Sequence, residues 1–221
     1  PQGKPQEGHA VDVICRLVEQ YPGEIEILTI GPATNLALAI MKEPELMRKT
    51  KHIHSMGTGG FGVGNATPVA EFNVFVDAEA YDVMLRSGIH VTIAGFDLCI
   101  GKAALNKEEI ELLQTKGTAA GKFAIDCNKT LLDYNIWRSG EHIIDMPDPV
   151  AAAIALWDDV VLDAWDCYCY TCTKEDPAYG LVIPFSPKAR NATEGPYVNL
   201  PPNARMVREI DYALFKKRLI E

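Results

Sequence analysis

Several things are scarce in this sequence, and each scarcity closes off a class of function. No apolar run approaches the roughly 20 residues that cross a bilayer; the longest clean one, Val150 to Trp157, is far shorter. Basic residues are outnumbered, 21 Lys and Arg against 30 Asp and Glu, for a formal net charge of −9. That balance argues against nucleic acid or anionic membrane as the main partner, because phosphates are met by clustered cations. There is no internal repeat, low-complexity tract or linker. The first residue is Pro1 rather than methionine, which raises the expectation of a processed or excised start. No charged-then-apolar secretion signal opens the chain. The six cysteines (Cys15, Cys99, Cys127, Cys167, Cys169 and Cys172) show no disulfide framework, and a chain of 221 residues can bury a core without staples. The expectation is a cytoplasmic protein forming a single α/β domain over residues 1–221.

Cys167, Cys169 and Cys172 form a C-x-C-x-x-C run that invites a metal reading. Asp166 to Cys172 alternates as a Tyr-rich strand, however, which puts Cys167 and Cys169 on one face. No second cysteine pair or histidine cluster follows to complete four ligands. These cysteines are therefore read as small hydrophobes. Three Asn-x-Ser/Thr triplets, at Asn65, Asn128 and Asn191, carry no weight without a secretion signal.

Along the chain, His9 to Tyr21 has helical apolar spacing and stops before Pro22-Gly23. Glu24 to Ile30 reads as a short strand that turns fully apolar, as a buried parallel strand does. Gly31-Pro32 breaks it, and Thr34 or Asn35 caps a helix running to about Pro44. A second strand is expected at His52 to Met56 and a third at Ile89 to Ala94. Between them lie a glycine-rich loop, Gly57 to Pro68, and a helix, Ala78 to Arg86, capped by Asp77 and closed by Gly88. Asn106 to Glu109 is a capping box. Further helices are expected at Ala119 to Tyr134, Pro149 to Trp157 and Arg208 to Leu219, with strands and turns over 159–185. Alternation of strand and helix predicts a Rossmann-like, mostly parallel central sheet flanked by helices.

Open parallel sheets bind ligands beyond the carboxyl ends of their strands. Three segments lie at such ends here: Gly31 to Asn35, Met56 through Asn73, and Phe96-Asp97. The middle one groups Asn65, Glu71 and Asn73, amides and a carboxylate that suit the vicinal hydroxyls of a sugar. The competing reading is that they make turns and caps. A phosphate cradle at Gly57 to Gly64 is a third reading, weakened because no Lys or Arg lies between Lys51 and Arg86.

At this point the sequence resembles the inosine–uridine-type nucleoside hydrolases. Ile30-Gly-Pro-Ala-Thr-Asn-Leu-Ala-Leu-Ala39 is similar to that family's G-P-L-T-N-L-A segment. Met56-Gly57, Gly64-Asn65, Ala70-Glu-Phe-Asn73 and Asp77-Ala-Glu-Ala80 follow its M-G-G, G-N, E-F-N and D-P-E-A series in order. Gly95-Phe-Asp-Leu98 resembles its G-L-D-V-T strand end, and Asp148-Pro-Val-Ala151 its D-P-x-A element. The ordered set runs from about residue 9 to residue 155.

The resemblance implies hydrolysis of the N-glycosidic bond of ribonucleosides in purine and pyrimidine salvage, a Ca²⁺ ion at the carboxyl edge of the sheet, and a dimeric or tetrameric homo-oligomer. It implies Asp148 and the Ile30 carbonyl as calcium ligands, Asn65, Glu71 and Asn73 as holders of the ribose hydroxyls, and Met56 packed against the sugar. Oxygen-only ligation is what a hard cation takes. The family's N-terminal D-x-D-P-G-x-D-D motif, which supplies the remaining aspartates and the catalytic base, has no counterpart in these residues. Pro1 corresponds to a point well inside the family sequence, so this chain by itself is expected to be incomplete for catalysis, the larger C-terminal part of the fold. The residue before the D-P-x-A aspartate, a histidine in many members, is Pro147 here. His142, or a stacking aromatic among Tyr134, Trp137 and Trp157, is left to activate the leaving base. A non-catalytic nucleoside-binding protein that has lost the metal site is the alternative.

Overall fold

A computed structural model of the chain describes residue 3, residues 7–186 and residues 200–221; Pro1 and the Asn191 triplet lie outside them. The chain alternates α1 (Ala10–Gln20), β1 (Glu26–Thr29), α2 (Thr34–Lys42), the short α3 (Pro44–Met47) and β2 (His52–Met56). After the glycine-rich loop come α4 (Phe72–Val76), α5 (Ala78–Leu85) and β3 (Val91–Ala94), then α6 (Lys107–Lys116), α7 (Ala119–Cys127), α8 (Lys129–Ser139) and α9 (Pro147–Leu156). β4 (Val161–Cys167), the hairpin of β5 (Cys169–Thr171) and β6 (Val182–Pro184), β7 (Ala204–Ile210) and α10 (Tyr212–Ile220) complete it.

The main sheet has the order β1-β2-β3-β7-β4. β1, β2, β3 and β7 run parallel, and β4 is antiparallel to β7. This is the mostly parallel architecture that the strand–helix alternation predicts. Its two faces are covered by separate apolar layers, because alternate residues of a strand point to opposite sides. Ile53 and Ile93 face Val18, Leu36, Ile40, Tyr81 and Met84 of α1, α2 and α5. Met56, Ala94 and Val207 face Val150, Ile154 and Phe215 of α9 and α10. Each such side chain taken fully out of water stabilises the fold by about 1.5–3 kcal/mol.

Four expectations are corrected. Neither Thr34 nor Asn35 caps α2, which begins after Ala33 with no side-chain cap bond. The strand expected over Asp166 to Cys172 is divided at Tyr168 between β4 and β5, which belong to different sheets. Arg208 lies in β7 rather than in a helix: Ala204, Met206, Val207 and Ile210 are buried between β3 and β4, and Asp211 then caps α10 by accepting the Leu214 N–H. The helix expected over Ala119 to Tyr134 is two helices, α7 and α8, separated at Asn128. The capping box at Asn106 and Glu109 and the left-handed Gly88 (φ +79°) are present as read. Cys167 and Cys169 are both buried, with Sγ atoms 3.8 Å apart, and no metal-holding group of three or more His, Cys, Asp or Glu occurs among the described residues. Among those residues no helix is long and apolar enough to cross a membrane.

Candidate active site

Glu71 sits at the N-cap of α4, where its carboxylate accepts the Asn73 and Val74 N–H groups at 3.0 and 3.4 Å. The helix forms because an acidic cap satisfies its first orphan donors. The side chain is only 2% exposed. Burial pushes its pKa up; the amides of Asn73, Val74 and Thr58 pull it down, and the charge of Asp148 adds to the rise. Asn73 Nδ2 donates to the Met56 carbonyl at 3.2 Å and lies 3.3 Å from its Sδ, which ties α4 to the carboxyl end of β2. Asn65 Oδ1 accepts the Phe72 N–H at 2.8 Å. The cap-and-turn reading of these residues is therefore correct as far as it goes. What remains is informative: Asn65 Nδ2, a donor, and Asn73 Oδ1, an acceptor, have no hydrogen-bond partner among the described residues. A carboxylate, a donor and an acceptor held on one short segment match two adjacent hydroxyls.

Asp148 lies in the first turn of α9, whose start is fastened to the turn that follows β3 by the Met146 N–H to Cys99 carbonyl bond at 3.1 Å. α9 packs on β1, β2 and β3, with its N-terminus over the carboxyl ends of the strands. Asp148 is half-buried and has no ion-pair or hydrogen-bond partner among the described residues; burial raises its pKa. Ile30 follows β1 at the same edge and is 45% exposed. Asp148 and the Ile30 carbonyl are oxygen donors, as calcium wants, but the ion takes 6 to 8 oxygens. The donors suit it in kind and fall short in number. β1 pairs with β2 alone among the described strands, so its other edge is open beside Ile30.

Beside Asp148 is a cavity of about 370 Å³, lined by Leu105, Leu113, Ile125, Leu131, Asn128 and Asp145 among others. Its walls are mostly apolar, as suits a planar base. His142 is exposed and does not line it. Tyr134 and Trp137 are 50% and 80% exposed on α8, while Trp157 is partly buried against the α9–α10 layer. Sequence reasoning missed Thr58, a buried residue of the turn after β2 whose amide helps to lower the Glu71 pKa, and assigned no role to Asp97, whose Oδ2 accepts the Phe61 N–H at 3.0 Å. The glycines around both residues were the available signal.

The inosine-uridine preferring nucleoside hydrolase family model matches residues 1–217. Uridine nucleosidase 1 of Arabidopsis thaliana is 34% identical over 160 residues, which are 72% of this chain and 47% of that protein. The pyrimidine-specific ribonucleoside hydrolase RihA of Citrobacter koseri is 36% identical over 135 residues, 61% of this chain and 43% of its own. The chain thus spans about half the length of the curated relatives it matches. Among solved structures, a plant nucleoside hydrolase superposes with a TM-score of 0.88 at 22% identity, covering 100% of this chain and 68% of that one. The purine-preferring ribonucleoside hydrolase of Gardnerella vaginalis gives 0.84 at 25% identity, covering 99% and 66%. The matched family and the sheet-end site agree, and the chain belongs to the inosine-uridine preferring nucleoside hydrolase family.

Proposed function

We propose that this protein hydrolyses the N-glycosidic bond of ribonucleosides, releasing ribose and a free base. The observation that carries the reading is the grouping of Glu71, Asn65 and Asn73 at the carboxyl end of β2, with the charge of Asp148 close enough to act on Glu71. Glu71 accepts from one ribose hydroxyl, while Asn65 Nδ2 and Asn73 Oδ1 serve the other as donor and acceptor. Met56, whose sulfur and carbonyl Asn73 holds, closes the floor beneath the sugar. The apolar cavity next to Asp148 takes the base, and its Asn128 and Asp145 supply polar contacts to ring nitrogens.

The reading includes a calcium ion, for which Asp148 and the Ile30 carbonyl provide two oxygens. A bound cation of this kind makes a coordinated water easier to deprotonate. The remaining oxygens and the base that takes the water's proton come from outside the described residues, and the open edge of β1 is where a further parallel strand would bring them. The reading further extends to nucleoside salvage in the cytoplasm by a homo-oligomer. Relatives named for uridine, pyrimidine and purine substrates leave both base classes within it.

Calorimetric titration with inosine and uridine, with calcium and with chelator, tests it on this chain and on the longest natural polypeptide that contains it. Calcium-dependent binding with ribose released is the expected result. Binding without ribose release from the longer polypeptide would favour the non-catalytic nucleoside-binding alternative instead.

A further inference from the structure

The glycine-rich turn after β2 is built around one side chain that the proposed chemistry does not use. Asp97, in the 3-10 turn Phe96–Leu98 after β3, accepts the Phe61 N–H through Oδ2 at 3.0 Å. Its Oδ1 is buried and has no hydrogen-bond partner among the described residues. A Cβ on Gly60 would lie 1.8 Å from that oxygen, one on Gly95 2.5 Å from it, and one on Gly62 2.9 Å from the Asp97 Cβ. Glycine is needed at all three positions because the Asp97 side chain occupies the space another side chain would take. Gly60 also holds φ +70°.

The contacts lead from this carboxylate to the sugar-binding segment. Phe96 N–H donates to the Thr58 carbonyl at 2.9 Å, and Gly60 N–H to Thr58 Oγ1 at 3.3 Å. Thr58 is the one non-glycine residue with positive φ (70°) among the described residues, a left-handed conformation that a β-branched residue keeps only when its surroundings impose it. Its amide is one of the groups that lower the Glu71 pKa against the effect of burial.

We propose that Asp97 is a positioning residue that clamps the 58–62 turn and so keeps Thr58 left-handed. This rests on the reading of Glu71 as a ribose ligand, since without it the clamp would order a loop and nothing more.

Amide hydrogen exchange in the unsubstituted protein, Asp97→Ala and Asp97→Asn tests the clamp without any assay of activity. Asp97→Ala is expected to speed exchange at Thr58 and Phe61 by at least about tenfold while Ile53 and Ile93 keep their protection. Asp97→Asn, which retains an oxygen acceptor for Phe61, restores most of it. Should Asp97→Ala fail to fold, Gly60→Ala displaces the carboxylate from the other side and is expected to expose Thr58 in the same way. In nucleoside hydrolysis, Asp97→Ala is expected to raise KM about tenfold with kcat within about threefold, because a misplaced ribose ligand weakens binding of substrate and transition state alike. Unchanged Thr58 exchange in folded Asp97→Ala, or a fall in kcat at constant KM, would overturn the proposal. Loss of Thr58 protection, with no ribose released by the longest natural polypeptide that contains this chain, would keep the clamp and dismiss the hydrolase reading.

Discussion

The two ends of the sheet treat charge in opposite ways. At the amino end, Glu26 is met by Lys51 Nζ at 2.5 Å and His54 Nε2 at 3.1 Å, hydrogen bonds that hold its pKa low. His52 stacks on His54 at 4.3 Å, with His90 6.3 Å away, in front of a polar cavity of about 500 Å³ that the last residues of α9 help to line. At the carboxyl end, Glu71, Asp97 and Asp148 are each raised by burial, and no Lys, Arg or His is among the groups acting on them. Backbone amides are the compensation there for Glu71 and Asp97, and Asp148 has none. α9 joins the two ends, carrying Asp148 at one and Leu156 at the other. Buried negative charge without a cation costs stability unless something binds it. The difference is what the proposed binding of hydroxyls and a cation at the carboxyl end requires.

The strongest way to break that contrast is to remove its central carboxylate. Glu71→Ala is expected to lower kcat/KM for nucleoside hydrolysis by at least about a hundredfold, since a buried polar contact to substrate is lost. It should also cost about 1 kcal/mol of stability through loss of the α4 cap, read by urea denaturation. Gly60→Ala is expected to destabilise by about 1–3 kcal/mol, because φ +70° is strained for alanine and its Cβ meets the Asp97 carboxylate.

pH sharpens the comparison, because the two ends have opposite signs. Asp148 has a folded-state pKa above its unfolded value, so its contribution is most favourable below the unfolded carboxylate pKa and declines as pH rises toward the folded one. In chelator at neutral pH, Asp148→Asn is expected to melt about two degrees higher than the unsubstituted chain, with the gap closing below about pH 4. Glu26 has the reverse shift: its stabilisation is present above the unfolded pKa and is lost as pH falls through the lowered folded value. Glu26→Gln should thus melt slightly lower at neutral pH. The effect is the smallest of the set, below about 0.5 kcal/mol, because the pair is solvent-exposed.

What was legible in the sequence was what local patterning controls. The strands β1, β2 and β3, the Asp77 cap, the capping box and Gly88 each follow from a few neighbouring residues, and the structure has them. β7 was not legible from Arg208 onward because its burial comes from β3 and β4, strands more than 35 residues distant in sequence. Within the site, Asn65, Glu71 and Asn73 stood out because they share one loop. The proximity of Asp148 to Glu71 depends on α9 packing across the sheet, and only the D-P-x-A resemblance pointed to it. Thr58 was signalled only by its glycine neighbours, since a threonine at positive φ contradicts its own propensity. Asp97 was noticed as a strand end, but its clamp on the glycine turn exists only once β2 and β3 lie side by side.

The most direct test of the account is ribose release from uridine and inosine by the longest natural polypeptide containing this chain, compared with its Glu71→Gln variant in calcium. The account predicts calcium-dependent release by the former and at least about a hundredfold less from the variant. Equal release by both would contradict it.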